Sequence, residues 1–133
     1  MDFDNILTAL QNSRKNALAK YSGFHVGAVV VTNNGKMYSG FNIESSSYSL
    51  TICAERVALY KALTEGETNF KEIYIQADYQ GFTAPCGACR QVLMDYAPGI
   101  RVILVNPKGE KKEHQLKDLL PNAFTENELY PGT

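Results

Sequence analysis

Cys53, Cys86 and Cys89 are the only cysteines in the chain, and each stands where its thiol could do chemistry. Cys86 and Cys89 lie three residues apart in Pro85-Cys86-Gly87-Ala88-Cys89, a spacing that puts both thiols on one face of a helix. Cys53 opens a second run, Cys53-Ala54-Glu55-Arg56. Three chemistries use such residues. A Cys-x-x-Cys pair at a helix start can form a redox couple, because the helix dipole lowers a thiol pKa. That reading leaves Cys53 without a role. A structural zinc site needs four closed ligands. The fourth would be His25 or His114, and neither has the usual finger spacing from a cysteine. A catalytic metal centre needs three protein ligands and one open position, and the cysteine count matches. Glu55, two residues after Cys53, would then reach the open position without being a ligand, as a general acid and base must.

For three thiols to meet, two helix starts must point at one spot. The pattern around them supplies such helices. Phe3, Ile6, Leu7, Leu10, Ala17 and Leu18 recur near helical spacing and predict an amphipathic first helix. Phe24 to Thr32 reads as a strand, and the consecutive Val29, Val30 and Val31 predict burial on both faces. Asn34-Gly35 marks a hairpin turn, with 37–44 as its second strand. Ala54 to Leu63 predicts a helix whose apolar face is Val57, Ala58, Leu59 and Leu63, stopped at Gly66. A strand over 72–78, a helix over 87–97, a strand over 101–106, an edge strand over 111–116 and a short helix over 116–121 follow. Helices alternating with strands imply an α/β fold with helices packed on a sheet. Both cysteine motifs fall at strand-to-helix junctions, where sites gather in open sheets.

Composition narrows the partner. The 133 residues suit one domain, 1–133. Thirteen basic residues nearly balance fourteen acidic ones. Lys108, Lys111 and Lys112 are interspersed with Glu110 and Glu113, which reads as a solvated face. No basic track for a nucleic acid is evident, so a small-molecule partner is expected. No apolar run approaches the roughly 18 residues of a transmembrane helix, and the acidic start lacks a signal pattern. A cytoplasmic protein without membrane contact is expected. An odd number of cysteines argues against a disulfide framework.

Cys-x-Glu followed by Pro-Cys-x-x-Cys is also the pattern of zinc deaminases that act on nucleobases. Around it the chain resembles the cytidine deaminase family in its short-chain homotetrameric form. The stretches that carry the resemblance are YSGFHVGAVV, GFNIESSSYSLTICAER, PCGACRQV and LLPNAF, spread over nearly the whole length. The resemblance implies a three-layer α/β/α sandwich with a mixed five-stranded sheet. It implies Zn2+ held by Cys53, Cys86 and Cys89, and Glu55 as proton shuttle. It implies that Asn42 and Glu44 hold the ribose hydroxyls, and that the Ala54 backbone and the Glu55 carboxylate read the pyrimidine. Phe24 would pack on the nucleoside. Phe124 would enter from a neighbouring subunit of a homotetramer, and Tyr48 would border the shared site. Phe41, Ser45, Ser46 and Lys20 depart from the family's commonest pattern, and none is a metal or proton position.

Taken alone, several of these residues have plainer readings. Phe24 is equally a core residue, and Asn42 and Glu44 are ordinary polar residues sharing one strand face. Phe124 reads as a tail residue on its own core, and Tyr48 as a surface tyrosine. Arg56 is either a hydrogen-bond donor that offsets thiolate charge or half of a surface ion pair. The expected activity is zinc-dependent conversion of cytidine and deoxycytidine to the uridine nucleosides, in pyrimidine salvage. The alternatives are deamination of a modified nucleoside such as blasticidin S, an editing enzyme acting on polynucleotides, and a structural zinc or redox module.

Overall fold

The computed structural model describes residues 2–130. Helix α1 spans Phe3–Asn16, strand β1 Val26–Thr32 and strand β2 Met37–Phe41. A 3-10 turn at Tyr48–Leu50 precedes helix α2, Ala54–Thr64. Strand β3, Phe70–Ala77, leads to helix α3, Gly87–Tyr96. Strands β4, Arg101–Val105, and β5, Lys111–Gln115, are followed by the short helices α4, Leu116–Leu119, and α5, Glu126–Leu129.

The strands form one five-stranded sheet in the order β2-β1-β3-β4-β5. β3 and β4 are parallel, and every other neighbouring pair is antiparallel. The sheet is therefore mixed, as the resemblance implied. On one face Ile6 and Leu10 of α1 pack on Val29, Val31, Tyr74, Ile103 and Val105. On the other, Ala54, Ala58, Leu59 and Ala62 of α2 and Leu93 of α3 pack on Ala28, Val30, Ile73, Ile75, Val102 and Leu104. These are the three layers. They explain the valine run: alternate residues of β1 meet α1 and α2, and each fully buried aliphatic side chain contributes about 1.5–3 kcal/mol.

Two glycines set the spacing of the layers. A Cβ on Gly27 would stand 2.6 Å from the Leu10 carbonyl oxygen of α1. A Cβ on Gly40 would stand 2.5 Å from the Ala58 nitrogen and 2.8 Å from the Ala54 oxygen of α2. Gly40 thus lets β2 lie directly against the first turn of the helix that Cys53 opens. The hairpin turns as expected, with Gly35 at φ +88° and its N–H donating to the Thr32 carbonyl at 3.0 Å.

The elements differ from expectation at several points. α1 ends at Asn16, so Ala17 and Leu18 leave the helix, and Leu18 bridges to Ile43. β2 ends at Phe41, because the side chain of Asn42 takes the ladder position instead: its Oδ1 accepts from Val26 N–H at 3.0 Å. The apolar face of α2 centres on Ala54, Ala58, Leu59 and Ala62, with Val57 and Leu63 only partly buried. The tail contains α5, closed by a capping box between Thr125 and Glu128.

Candidate active site

Cys53 is the N-cap of α2 and Cys86 the N-cap of α3, and Cys89 lies in the first turn of α3. Both helices pack on one face of the sheet, so their N-termini bring the three thiols together. All three Sγ atoms lie within 4.8 Å of one another, and no histidine joins them among the described residues. Cys53 Sγ is 3.7 Å from Cys86 Sγ, and Cys86 Sγ is 3.5 Å from Cys89 Sγ. Disulfide sulfurs would be about 2.05 Å apart. Thiolates on a tetrahedral zinc, with Zn–S near 2.3 Å, would stand about 3.8 Å apart. The spacing fits zinc.

The electrostatics suit a cation too. Hydrogen bonding with the Cys89 thiol lowers the Cys53 thiol to about 5 against the effect of burial, and Arg56 assists. Arg56 Nη2 lies 3.5 Å from Cys53 Sγ. The contact with Cys53, and then burial, push the Cys89 thiol far up. A divalent cation binds thiolates and releases their protons, so it would relieve that crowding. Contact with Cys53 in turn raises the Arg56 pKa, so the guanidinium stays charged. Glu55 is only 5% exposed. Burial, and then the negative charge on Cys53, push its carboxyl up to about 7. A carboxyl so placed exchanges protons readily near neutral pH.

A second group of side chains sits beside this one. Asn42 Nδ2 donates to the Phe24 carbonyl at 2.9 Å and to Glu44 Oε2 at 3.3 Å. Glu44 Oε1 accepts from the backbone N–H groups of Tyr21 at 3.0 Å and Ser22 at 2.9 Å. These bonds, led by the Ser22 hydroxyl, hold the Glu44 carboxyl below the usual carboxylate range. Ile43 and Ile52 exchange both main-chain hydrogen bonds at 3.0 Å, which ties the Asn42–Glu44 stretch to the residue before Cys53. Phe24 is 40% exposed, so it is no core residue. Tyr48 is 77% exposed, and with Tyr21, Ser22, Glu44, Ser45 and Thr51 it lines one cleft.

Phe124 is not brought to the thiols within the chain. It is 55% exposed in a groove between α3 and α5, where Gln91 Nε2 donates to its carbonyl at 2.9 Å. Ala54 is fully buried at the start of α2. Sequence reasoning missed the backbone N–H groups at 21 and 22, which carry no side-chain signal. It also missed Asp78, which binds His25.

A family model described as the cytidine and deoxycytidylate deaminase zinc-binding region matches residues 3–105. The chain belongs to this family. All three cysteines and Glu55 fall inside the match, and zinc is the metal of the site. A cytidine deaminase of Sporosarcina psychrophila is 42% identical over 130 residues, 97% of this chain and 96% of that protein. A blasticidin-S deaminase of Bacillus cereus is 31% identical over 111 residues, 77% of this chain and 79% of that one. Among solved structures, a cytidine deaminase from Burkholderia pseudomallei superposes with a TM-score of 0.88 at 42% identity. That alignment covers 93% of this chain and all of the other. The Burkholderia pseudomallei enzyme thus shares with the chain a mixed sheet sandwiched by helices.

Proposed function

We propose that this protein hydrolyses cytidine and deoxycytidine to uridine and deoxyuridine, releasing ammonia. The observation that carries the reading is Glu55: a buried carboxyl two residues from one of three converging thiols. Cys53, Cys86 and Cys89 would hold the zinc, leaving a fourth position open. Bound zinc supplies Lewis acidity that makes water reactive near neutral pH. Glu55 takes a proton from that water and delivers it to ring N3 as the oxygen adds to C4. Glu55 then takes the remaining proton from the new C4 hydroxyl and gives it to the amino group, which leaves as ammonia while the C4 carbonyl forms. One carboxylate thus acts as base and then acid. The Ala54 backbone and the Glu55 carboxylate would fix the pyrimidine edge. Asn42 and Glu44 would bind the ribose hydroxyls, and Phe24 would pack on the nucleoside. A site built to pair with a hydroxyl discriminates strongly against analogues lacking one.

Phe124 and Tyr48 would complete a site shared between subunits of a homotetramer. A balanced charge and no helix long and apolar enough to cross a membrane among the described residues accord with a cytoplasmic enzyme of pyrimidine salvage.

Following the ultraviolet absorbance of cytidine tests the reading. Absorbance falls with the wild-type protein and holds steady with Glu55→Ala, which retains zinc. Wild-type protein that leaves cytidine unchanged but consumes blasticidin S would move the substrate to a modified nucleoside. A protein inert on both would overturn the reading.

A further inference from the structure

The residues entering β1 are held by side chains that stand in for the sheet. At Val26 the β1–β2 ladder ends, and Asn42 Oδ1 accepts the Val26 N–H at 3.0 Å. One residue earlier the β1–β3 ladder ends in the same manner. Asp78 N–H still donates to the His25 carbonyl at 3.1 Å. The return bond from His25 N–H goes to the carboxylate, Asp78 Oδ2, at 2.9 Å instead of to a main-chain oxygen. In an extended chain, consecutive N–H groups point to opposite sides. Asn42 therefore grips residues 24 and 26 from the β2 side, and Asp78 grips residue 25 from the β3 side. Phe24 adjoins the residue that Asp78 holds and is itself held through its carbonyl by Asn42.

Asp78 is itself braced. Its Oδ2 also meets His25 Nδ1 at 2.8 Å, and its Oδ1 faces Arg14 Nε at 3.9 Å. Arg14 Nη1 donates to the Ala77 carbonyl at 3.0 Å, which fixes the end of β3 against α1. Burial works against the charge on Asp78, yet its hydrogen bonds with His25 and the charges of His25 and Arg14 hold the carboxyl below its usual range. On the other side the brace continues from Asn42 to Glu44 and Ser22, whose Oγ accepts the Phe24 N–H at 3.0 Å.

We infer that Asp78 is a positioning residue, which fixes the segment 22–26 so that Phe24 meets the nucleoside in one orientation. The inference rests on the proposed role of Phe24 in binding. Asp78 touches neither substrate nor metal in this scheme, so its loss weakens binding and spares chemistry.

The test compares wild type, Asp78→Ala and Asp78→Asn. Amide hydrogen exchange is read on a peptide covering residues 22–26, and KM and kcat on cytidine. Asp78→Ala is expected to speed exchange and raise KM by about five- to tenfold, the factor an ordinary hydrogen bond commands, with kcat and zinc content little altered. Asp78→Asn keeps an oxygen that can accept the His25 N–H and is expected to recover most of the loss. If Asp78→Ala does not fold, Asp78→Asn still carries the test, with a smaller rise in exchange and KM. Unchanged exchange in the folded variants overturns the inference whatever the substrate. Faster exchange with an unaltered KM overturns the positioning role and leaves a merely structural one. Faster exchange in a protein whose wild type leaves cytidine untouched supports the brace and overturns only the substrate reading.

Discussion

Three thiolates around one zinc ion leave a net negative centre, which weakens the metal as a Lewis acid. Arg56 Nη2 at 3.5 Å from Cys53 Sγ, and two helix N-termini, offset that charge. Groups that hydrogen-bond to metal ligands typically change metal affinity or activity by about 10–100-fold when removed. Arg56→Gln should therefore release zinc to a chelator faster and lower turnover by a factor in that range, with Arg56→Lys intermediate. Unaltered zinc release and turnover in Arg56→Gln would reduce Arg56 to an ordinary surface charge. At this scale the thiols and Glu55 were legible because their spacing along the chain carries the geometry: two lie one helical turn apart and the third opens a helix. The grouping of Asn42 with Glu44 was also anticipated, but by way of a strand face. The chain has left β2 there, and a hydrogen bond brings the two side chains together instead. Asp78 was not legible, since its partner His25 is 53 residues away and nothing local marks the pair.

Among the elements, the glycines divide the labour of the two faces. Gly40 admits the first turn of α2, where Cys53 and Glu55 sit, and Gly27 admits α1 on the other side. In both cases the atoms a Cβ would strike are largely backbone, which cannot swing away. Gly40→Ala and Gly27→Ala should each destabilise the fold by about 1–3 kcal/mol, the usual effect of overpacking, read as a lower thermal midpoint of the metal-free protein. Only Gly40→Ala should also weaken zinc retention in a chelator competition, because only its clash displaces the helix start that carries a ligand. Equal loss of zinc from both variants would mean that the site responds to global stability and not to the α2 contact. Hydrophobic runs and the Asn-Gly turn made most elements legible. The close approaches were not, because a glycine in a strand marks a contact without naming its partner. The end of α1 at Asn16 depended on Leu18 pairing with Ile43, a tertiary contact. The capping box of α5 did have a local signal in Thr125 and Glu128.

For the whole molecule, several large apolar side chains stand at the surface. Leu18, Tyr48, Leu50 and Phe124 are each more than half exposed, and Tyr48 borders the cleft that contains Glu44. Contiguous exposed apolar patches mark association surfaces, and closed symmetric assemblies of like chains are the common outcome. Phe124 sits in its own chain's α3 groove, with its backbone held by Gln91 and its ring open to solvent. Such a ring is presented outward, as entry into another subunit's site requires. A complementation experiment separates that arrangement from a role within one chain. Phe124→Ala should retain its zinc and Glu55 yet deaminate poorly, and Glu55→Ala should be inactive. When the two are co-expressed, an assembly that shares its sites would in some of them combine Glu55 of one subunit with Phe124 of another. Activity of the mixed assembly should then rise well above the average of the parents, in a species whose mass by light scattering is a multiple of the chain. A mixed assembly no more active than that average would place Phe124 outside the shared site and leave each chain to complete its own.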